Sequence, residues 1–125
     1  MEDDAGDADL VREAVSDRFP DLKIQVATDG TRVLGSLKAE RPDLVILDLN
    51  LPKKDGREVL KEIKQSPDFK SIPVAVLSTS HSISDIDRCY QLGANCYLTK
   101  PAEAQEFMRA VQALCEFWIH TAKRP

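Results

Sequence analysis

No stretch of this sequence approaches the roughly 20 apolar residues needed to span a bilayer, so no membrane helix is expected. The chain starts acidic, where a secretory signal would be basic and then apolar. No signal peptide is therefore expected, and the cytoplasm is the expected compartment. The net charge is −4, which argues against a nucleic-acid or anionic-membrane partner. There is no Gly-rich phosphate loop, and "DGTRVLG" fits neither a dinucleotide nor a Walker pattern. There is no G-x-S-x-G elbow, which speaks against an esterase. The only two histidines, His81 and His120, have no metal-ligand spacing with the cysteines, and His81 is expected on an exposed loop. Cys89, Cys96 and Cys115 are odd in number and lie in apolar-looking segments. They are expected as buried free thiols in a reducing compartment, ahead of a disulfide or metal role. There is no internal repeat, low-complexity segment or linker, so residues 1–125 form one domain.

What is present is a regular alternation. Ala8 to Phe19 reads as a helix with Val11, Ala14, Val15 and Phe19 on one face and Asp7 or Asp9 near its start. "KIQVAT" (Lys23 to Thr28) is β-branched and alternating, hence a strand. A helix follows, capped near Asp29 or Thr31 and stopped by Pro42, with Val33, Leu34 and Leu37 inward. "LVIL" (Leu44 to Leu47) and "VAVL" (Val74 to Leu77) are continuous apolar runs, as expected of strands buried on both faces. Between them Arg57 to Gln65 reads as a helix. Ser84 to Leu92 is another, closed by Gly93 at the position after its C-cap. "CYLT" (Cys96 to Thr99) is a short strand, and a long helix runs from Ala102 to about Lys123. Strict alternation with buried strands implies an α/β, flavodoxin-like doubly wound parallel sheet of four strands and five helices. Such folds ordinarily begin with a strand; this one begins with a helix.

Ligands of open parallel sheets bind beyond the carboxyl ends of the strands. Asp48 follows "LVIL", Ser78 follows "VAVL", and Lys100 with Pro101 follows "CYLT". Each has an ordinary structural reading, as a turn acid, a structural hydroxyl or a solvated lysine. Their placement at three successive strand ends is harder to dismiss. A carboxylate can be a nucleophile that forms an acyl phosphate. Phosphoryl transfer needs positioning and charge neutralisation. Mg²⁺ fits that need, because it is hard and is held by one or two carboxylates with water and phosphate oxygens. A lysine would serve the phosphoryl oxygens as a point charge.

The pieces "EDD", "PDLVILDLNLPKKDG", "IPVAVLSTS" and "GANCYLTKP" cover nearly the whole chain. In this order and spacing the sequence resembles the receiver domain of two-component response regulators. Its "CYLTKP…EF…FW" ending is similar to small single-domain regulators related to phytochrome-partner receivers. The resemblance implies that Asp48 is the phosphoacceptor, that Glu2 and Asp3 help hold Mg²⁺ with Asp48, and that the backbone carbonyl of Asn50 completes the metal site. It implies that Ser78 is the hydroxyl that follows the phosphoryl group, that Lys100 contacts phosphate, and that Tyr97 is the aromatic switch. It also implies a cis Lys100–Pro101 bond, which proline makes cheap, at about 0.5–1 kcal/mol in a free chain. Asn50 and Ser80 flank the site and are expected to influence dephosphorylation. The implied donor is a sensor histidine kinase. The implied output is a surface change over 84–92, 96–99 and the last helix, read by a downstream protein or a second copy. On that helix Phe107, Val111, Leu114 and Trp118 form one stripe, with Phe117 off it as either a contact or a stray surface residue.

Two rival readings remain. A phosphatase with an aspartate nucleophile would carry D-x-D, but here the stretch is "DLN", and Asn50 cannot serve as a general acid. No turnover of external substrates is expected. The other rival is a phosphorylation-independent interaction module, because the usual first strand is missing. In the order 2-1-3-4-5 that strand lies between "KIQVA" and "LVIL". Its loss would cost more than a typical net stability of about 5–15 kcal/mol unless compensated. Three compensations are open: a natural start that lies further upstream, direct pairing of the two flanking strands, or a second copy filling the gap. The first is favoured for the natural gene product. For the chain as given, the expectation is four strands, with Glu2 and Asp3 poorly anchored and weak Mg²⁺ binding.

Overall fold

A computed structural model describes residues 4–27, 29–49 and 55–118, with side chains described from residue 9 onward. The elements alternate as expected: α1 (Asp4–Arg18), β1 (Ile24–Ala27), α2 (Val33–Ala39), β2 (Leu44–Asp48), α3 (Gly56–Gln65), β3 (Val74–Ser78), α4 (Ile83–Gln91), β4 (Cys96–Thr99) and α5 (Ala104–Glu116). The four strands form one parallel sheet in the order β1-β2-β3-β4. The flanking strands have closed up. Ile24 pairs with Leu44, and the register runs through to Ala27 opposite Leu47. In the chain as given, the two flanking strands thus pair directly. This pairing satisfies the backbone groups along β2 that would otherwise lack partners.

β2 and β3 are buried along their whole length, and their side chains alternate between two cores. Val45, Leu47, Val74 and Val76 join α2, α3 and α4 through Val33, Leu37, Val59, Leu60, Ile63 and Cys89. Leu44, Ile46, Ala75 and Leu77 join α1 and α5 through Val11, Ala14, Val15, Phe107, Val111 and Leu114. The strands step across the sheet in sequence order, so crossovers of one hand place the three linking helices on one face. Trp118 extends the α5 stripe, whereas Phe117 is about half exposed (49%). A turn of α5 is also tied to α1, where Gln112 Nε2 donates to the Ala14 carbonyl at 3.2 Å. No described helix is long and apolar enough to cross a membrane.

Several helix ends differ from the sequence expectation. α1 starts at Asp4, so Asp7 and Asp9 lie within the helix and do not cap it. Asp9 instead pairs with Arg12 at 3.6 Å. Near α2, Asp29 accepts from both the backbone N–H (3.0 Å) and the hydroxyl (2.7 Å) of Thr31. The Asp29 side chain is thereby spent on a local turn, and α2 begins later, at Val33, without a side-chain cap. α4 starts at Ile83 because Ser82 caps it, accepting from Asp85 N–H. Gly93 has φ 107°, the left-handed conformation expected after a helix C-cap.

The edge of the sheet opposite the strand carboxyl ends is closed by Lys64. Its ammonium donates to the carbonyls of Ile72 (2.8 Å) and Lys70 (3.2 Å) and to Asn95 Oδ1 (2.8 Å). The same Asn95 oxygen accepts from Val74 N–H at 2.9 Å. Burial lowers the Lys64 pKa.

All three cysteines are free, with Cys89 and Cys115 buried. Burial pushes the Cys115 thiol up from 9.0 to about 11. The unfolded chain therefore loses that proton first. The contribution to stability is full below pH 9, shrinks as pH rises and is gone above about 11. At about 1.4 kcal/mol per pH unit, the stability gap between the wild type and Cys115→Ala should narrow by about 2–3 kcal/mol between pH 9 and 11. Urea unfolding at each pH measures this, and a constant gap would contradict it.

Candidate functional site

The two buried strands leave their polar chemistry at their carboxyl ends. Asp48 closes β2 and is 6% exposed; Ser78 closes β3 and is 4% exposed. They are the buried polar residues of the described core. Register brings the ends level, with Asp48 opposite Leu77 and Ser78 opposite Thr99. Two backbone bonds continue past the paired residues: Leu49 N–H donates to the Leu77 carbonyl at 3.0 Å, and Lys100 N–H to the Ser78 carbonyl at 2.8 Å. Lys100 is thus anchored just beyond β4, and its Nζ reaches Asp48 Oδ2 at 2.5 Å.

This pair is withdrawn from water, with both side chains 9% exposed. A charge-assisted bond withdrawn from water is stronger than one at the surface. The arrangement presents a carboxylate with a cation already beside it. Next to it, Ser78 Oγ accepts from Ser80 N–H at 3.0 Å. A hydroxyl has one donor and two acceptor positions, so this leaves the Ser78 O–H able to donate.

Tyr97 on β4 is partly buried against the core under α2, α3 and α4. Its hydroxyl donates to the Ser80 carbonyl at 3.0 Å, so the ring is held against the loop between β3 and α4. Its backbone N–H donates to the hydroxyl of Tyr90 on α4 at 3.1 Å. His81 is exposed on that loop, as expected.

The structure thus brings together Asp48, Ser78 and Lys100, with Tyr97 one layer out. Glu2, Asp3 and Asn50, the remaining metal-site candidates, lie outside the described residues. Among the described residues, no three His, Cys, Asp or Glu side chains gather into a metal cluster. Asp48 is the one described member of the expected donor set, and its carboxylate has the hard oxygen chemistry Mg²⁺ requires. One expectation is corrected. No described peptide bond is cis, so Lys100–Pro101 is trans. An X–Pro bond has little intrinsic preference, so the residue pair alone does not dictate the isomer.

The pattern of the response regulator receiver domain matches residues 1–112 of the sequence. The chain belongs to this family. Response regulator Rcp1 of Synechocystis sp. is 43% identical over 132 residues, covering all of this chain and 90% of that protein. The crystal structure of the phosphorylated cyanobacterial phytochrome response regulator RcpA superposes with a TM-score of 0.90 at 44% identity, over the whole chain and 94% of that one. The Mn²⁺-bound form of Rcp1 superposes with a TM-score of 0.84 at 42% identity, over the whole chain and 95% of that one. The chain is therefore a receiver domain of a two-component system. The Mn²⁺-bound relative is consistent with divalent-metal binding in such a domain.

Sequence reasoning passed over two residues that shape the site. One is Gly56, at the start of α3, where an added Cβ would lie 2.8 Å from Leu49 Cα and 3.0 Å from the Asp48 carbonyl oxygen. The helix start rests directly on the strand end that carries the carboxylate, and only the absence of a side chain permits it. The other is Asp85, which accepts from Ser80 Oγ–H at 2.7 Å. The spacing of Ser82 and Asp85 was a readable helix-start signal, but the bond to Ser80 was not.

Gly56→Ala should destabilise the protein by about 1–3 kcal/mol, the usual cost of overpacking. Gly35→Ala in α2, where nothing lies within 4 Å, should stabilise by about 0.5–1 kcal/mol. Denaturant midpoints of the two variants check both; equal effects would contradict the close approach at Gly56.

Proposed function

We propose that Asp48 accepts a phosphoryl group from the phosphohistidine of a sensor histidine kinase and that the protein signals through the resulting surface change. The observation that carries this reading is the buried Asp48–Lys100 pair at the carboxyl edge of the sheet, with Ser78 beside it. A carboxylate oxygen of Asp48 forms the new bond to phosphorus. The phosphorus–nitrogen bond of the donor breaks, and its electron pair leaves with the imidazole. Lys100 is placed to exchange its bond to the carboxylate for one to a phosphoryl oxygen. The charge at this position then grows to about −1.5 to −2, and the Ser78 O–H can donate to it. Low exposure strengthens each of these interactions relative to water.

Glu2, Asp3, Asp48 and the Asn50 carbonyl would hold Mg²⁺, which when bound neutralises phosphoryl charge. The resemblance of these residues to the family's metal set supports that assignment, as does the Mn²⁺-bound relative. Tyr97 is the proposed reporter, since its hydroxyl already rests on the loop that follows Ser78. α4, β4 and α5 form the proposed output face, read by a downstream protein or a second copy. The relatives include a phytochrome response regulator and a red-light-signalling regulator of R. palustris, the latter 32% identical with a TM-score of 0.83. A phytochrome-type sensor kinase is accordingly the donor to test first. The protein is not a turnover enzyme on external substrates in this reading. A phosphorylation-independent interaction module is the second reading, favoured by one observation: among the described residues β1 pairs directly with β2.

Incubation with acetyl phosphate and Mg²⁺ should add the mass of one phosphoryl group. EDTA or Asp48→Ala should prevent the gain, and Lys100→Ala should slow it by about 10²-fold, as loss of a preorganised charge partner does. No gain, or an equal gain in Asp48→Ala, would overturn the assignment and leave the interaction module standing.

A further inference from the structure

A polar relay runs from α3 to the loop that borders the site. Asp85, in the first turn of α4, divides its carboxylate between two partners. Oδ1 accepts from Arg57 Nη2 of α3 at 3.3 Å, and Oδ2 accepts from Ser80 Oγ–H at 2.7 Å. Arg57 is itself drawn to Asp55, the α3 N-cap, at 3.6 Å. Ser80 makes three further bonds. Its Oγ accepts from Ser82 N–H at 3.1 Å, its N–H donates to Ser78 Oγ at 3.0 Å, and its carbonyl accepts from the Tyr97 hydroxyl at 3.0 Å. Ser80 therefore links the Ser78 hydroxyl to the Tyr97 ring, and the Asp85 carboxylate and the Ser82 N–H hold its side chain from the start of α4.

We propose that Asp85 is a positioning residue for the phosphoryl site: bridging Arg57 to Ser80, it fixes the β3–α4 loop and so couples the Ser78 hydroxyl to the place of Tyr97. The inference rests on Asp48 being the phosphoacceptor for its kinetic consequence, but not for its geometric one. The bonds to Arg57 and Ser80 are parts of one path. Asp85 is about one-third exposed (34%) and Arg57 similarly so (37%). An ion pair that open to solvent holds weakly by itself. Its effect comes from orienting the carboxylate toward Ser80, where the short hydroxyl bond lies. Freeing Ser80 releases a donor to Ser78 and an acceptor for Tyr97 together.

The chain has two tyrosines, so incorporation of 3-fluorotyrosine yields two ¹⁹F resonances, assigned by Tyr90→Phe and Tyr97→Phe. In the unphosphorylated protein, Asp85→Ala and Ser80→Ala should each move the Tyr97 resonance. With saturating acetyl phosphate and Mg²⁺, each should change the labelling rate by about tenfold. The double variant should be no worse than either single one, because both remove the same bond. Asp85→Glu should restore part of both readouts, and thermal unfolding checks that each variant is folded. An unmoved Tyr97 resonance in folded Asp85→Ala, or fully additive effects, would overturn the proposal. If the wild type takes no label, the phosphoacceptor reading fails, while the ¹⁹F shifts still decide whether Asp85 sets the position of Tyr97.

Discussion

Lys100 and Asp48 meet at 2.5 Å with less than a tenth of either side chain exposed, and much of the architecture serves to hold that meeting. Withdrawing two charges from water costs several kcal/mol each, and their attraction offsets this only when the geometry is good. The geometry comes from the sheet. β2, β3 and β4 are parallel and in register up to the residues that matter, and backbone bonds from Leu49 and Lys100 carry the ladder one step beyond. The carboxylate and the ammonium are thus delivered by main chain that has almost no freedom to drift. A parallel sheet covered on both faces has few other places for charge. Its interior positions alternate between two apolar cores, so an ionisable group can face water only at an end.

The same sheet explains why β1 and β2 are direct neighbours. A doubly wound sheet that lacked one central member would leave a row of unpaired peptide groups beside β2, and unpaired buried groups are rarely tolerated. Here β1 moves against β2 and supplies those partners directly. The cost appears at the edge. β1 is only partly buried along most of its length, while β2 and β3 are buried throughout. α1 still covers the far face together with α5, because its apolar stripe of Val11, Ala14 and Val15 meets the β2 and β3 side chains that point that way.

The fold and the inner part of the site were readable in the sequence for the same reason. Runs such as "LVIL" and "VAVL" have one physical use in a chain of this size, and the residue after such a run must sit at a sheet edge. Asp48, Ser78 and Lys100 follow from that rule without side-chain detail. Helix starts were less legible, since they turn on a single side chain choosing between partners. Asp29 spends its carboxylate on Thr31, so α2 starts late. Ser82 caps α4, so that helix starts at Ile83, one residue ahead of the expected Ser84. Contacts between elements were not legible at all. The close approach of Gly56 to Leu49 depends on how a loop returns to its own strand. The reach of Lys64 to Asn95 spans thirty-one positions.

Arg57 and Asp85 belong to that last group, and their placement shows how an edge site can be linked to the helices around it. The parallel sheet is too stiff to relay a small charge change along its strands, because each is paired and packed on both sides. The loop after β3 is different. It is one residue deep between Ser78 and Ser80, and its path is set by side-chain bonds, which can be exchanged more readily than a ladder. Ser78 Oγ holds the Ser80 N–H, and the Ser80 carbonyl holds the Tyr97 hydroxyl. Tyr97 in turn carries a backbone bond to Tyr90 on the exposed side of α4. From Ser78 at the carboxyl edge of the sheet to Tyr90 on α4, the links are therefore single hydrogen bonds, each worth about 0.5–1.5 kcal/mol net, where the strands beside them are held by a whole ladder.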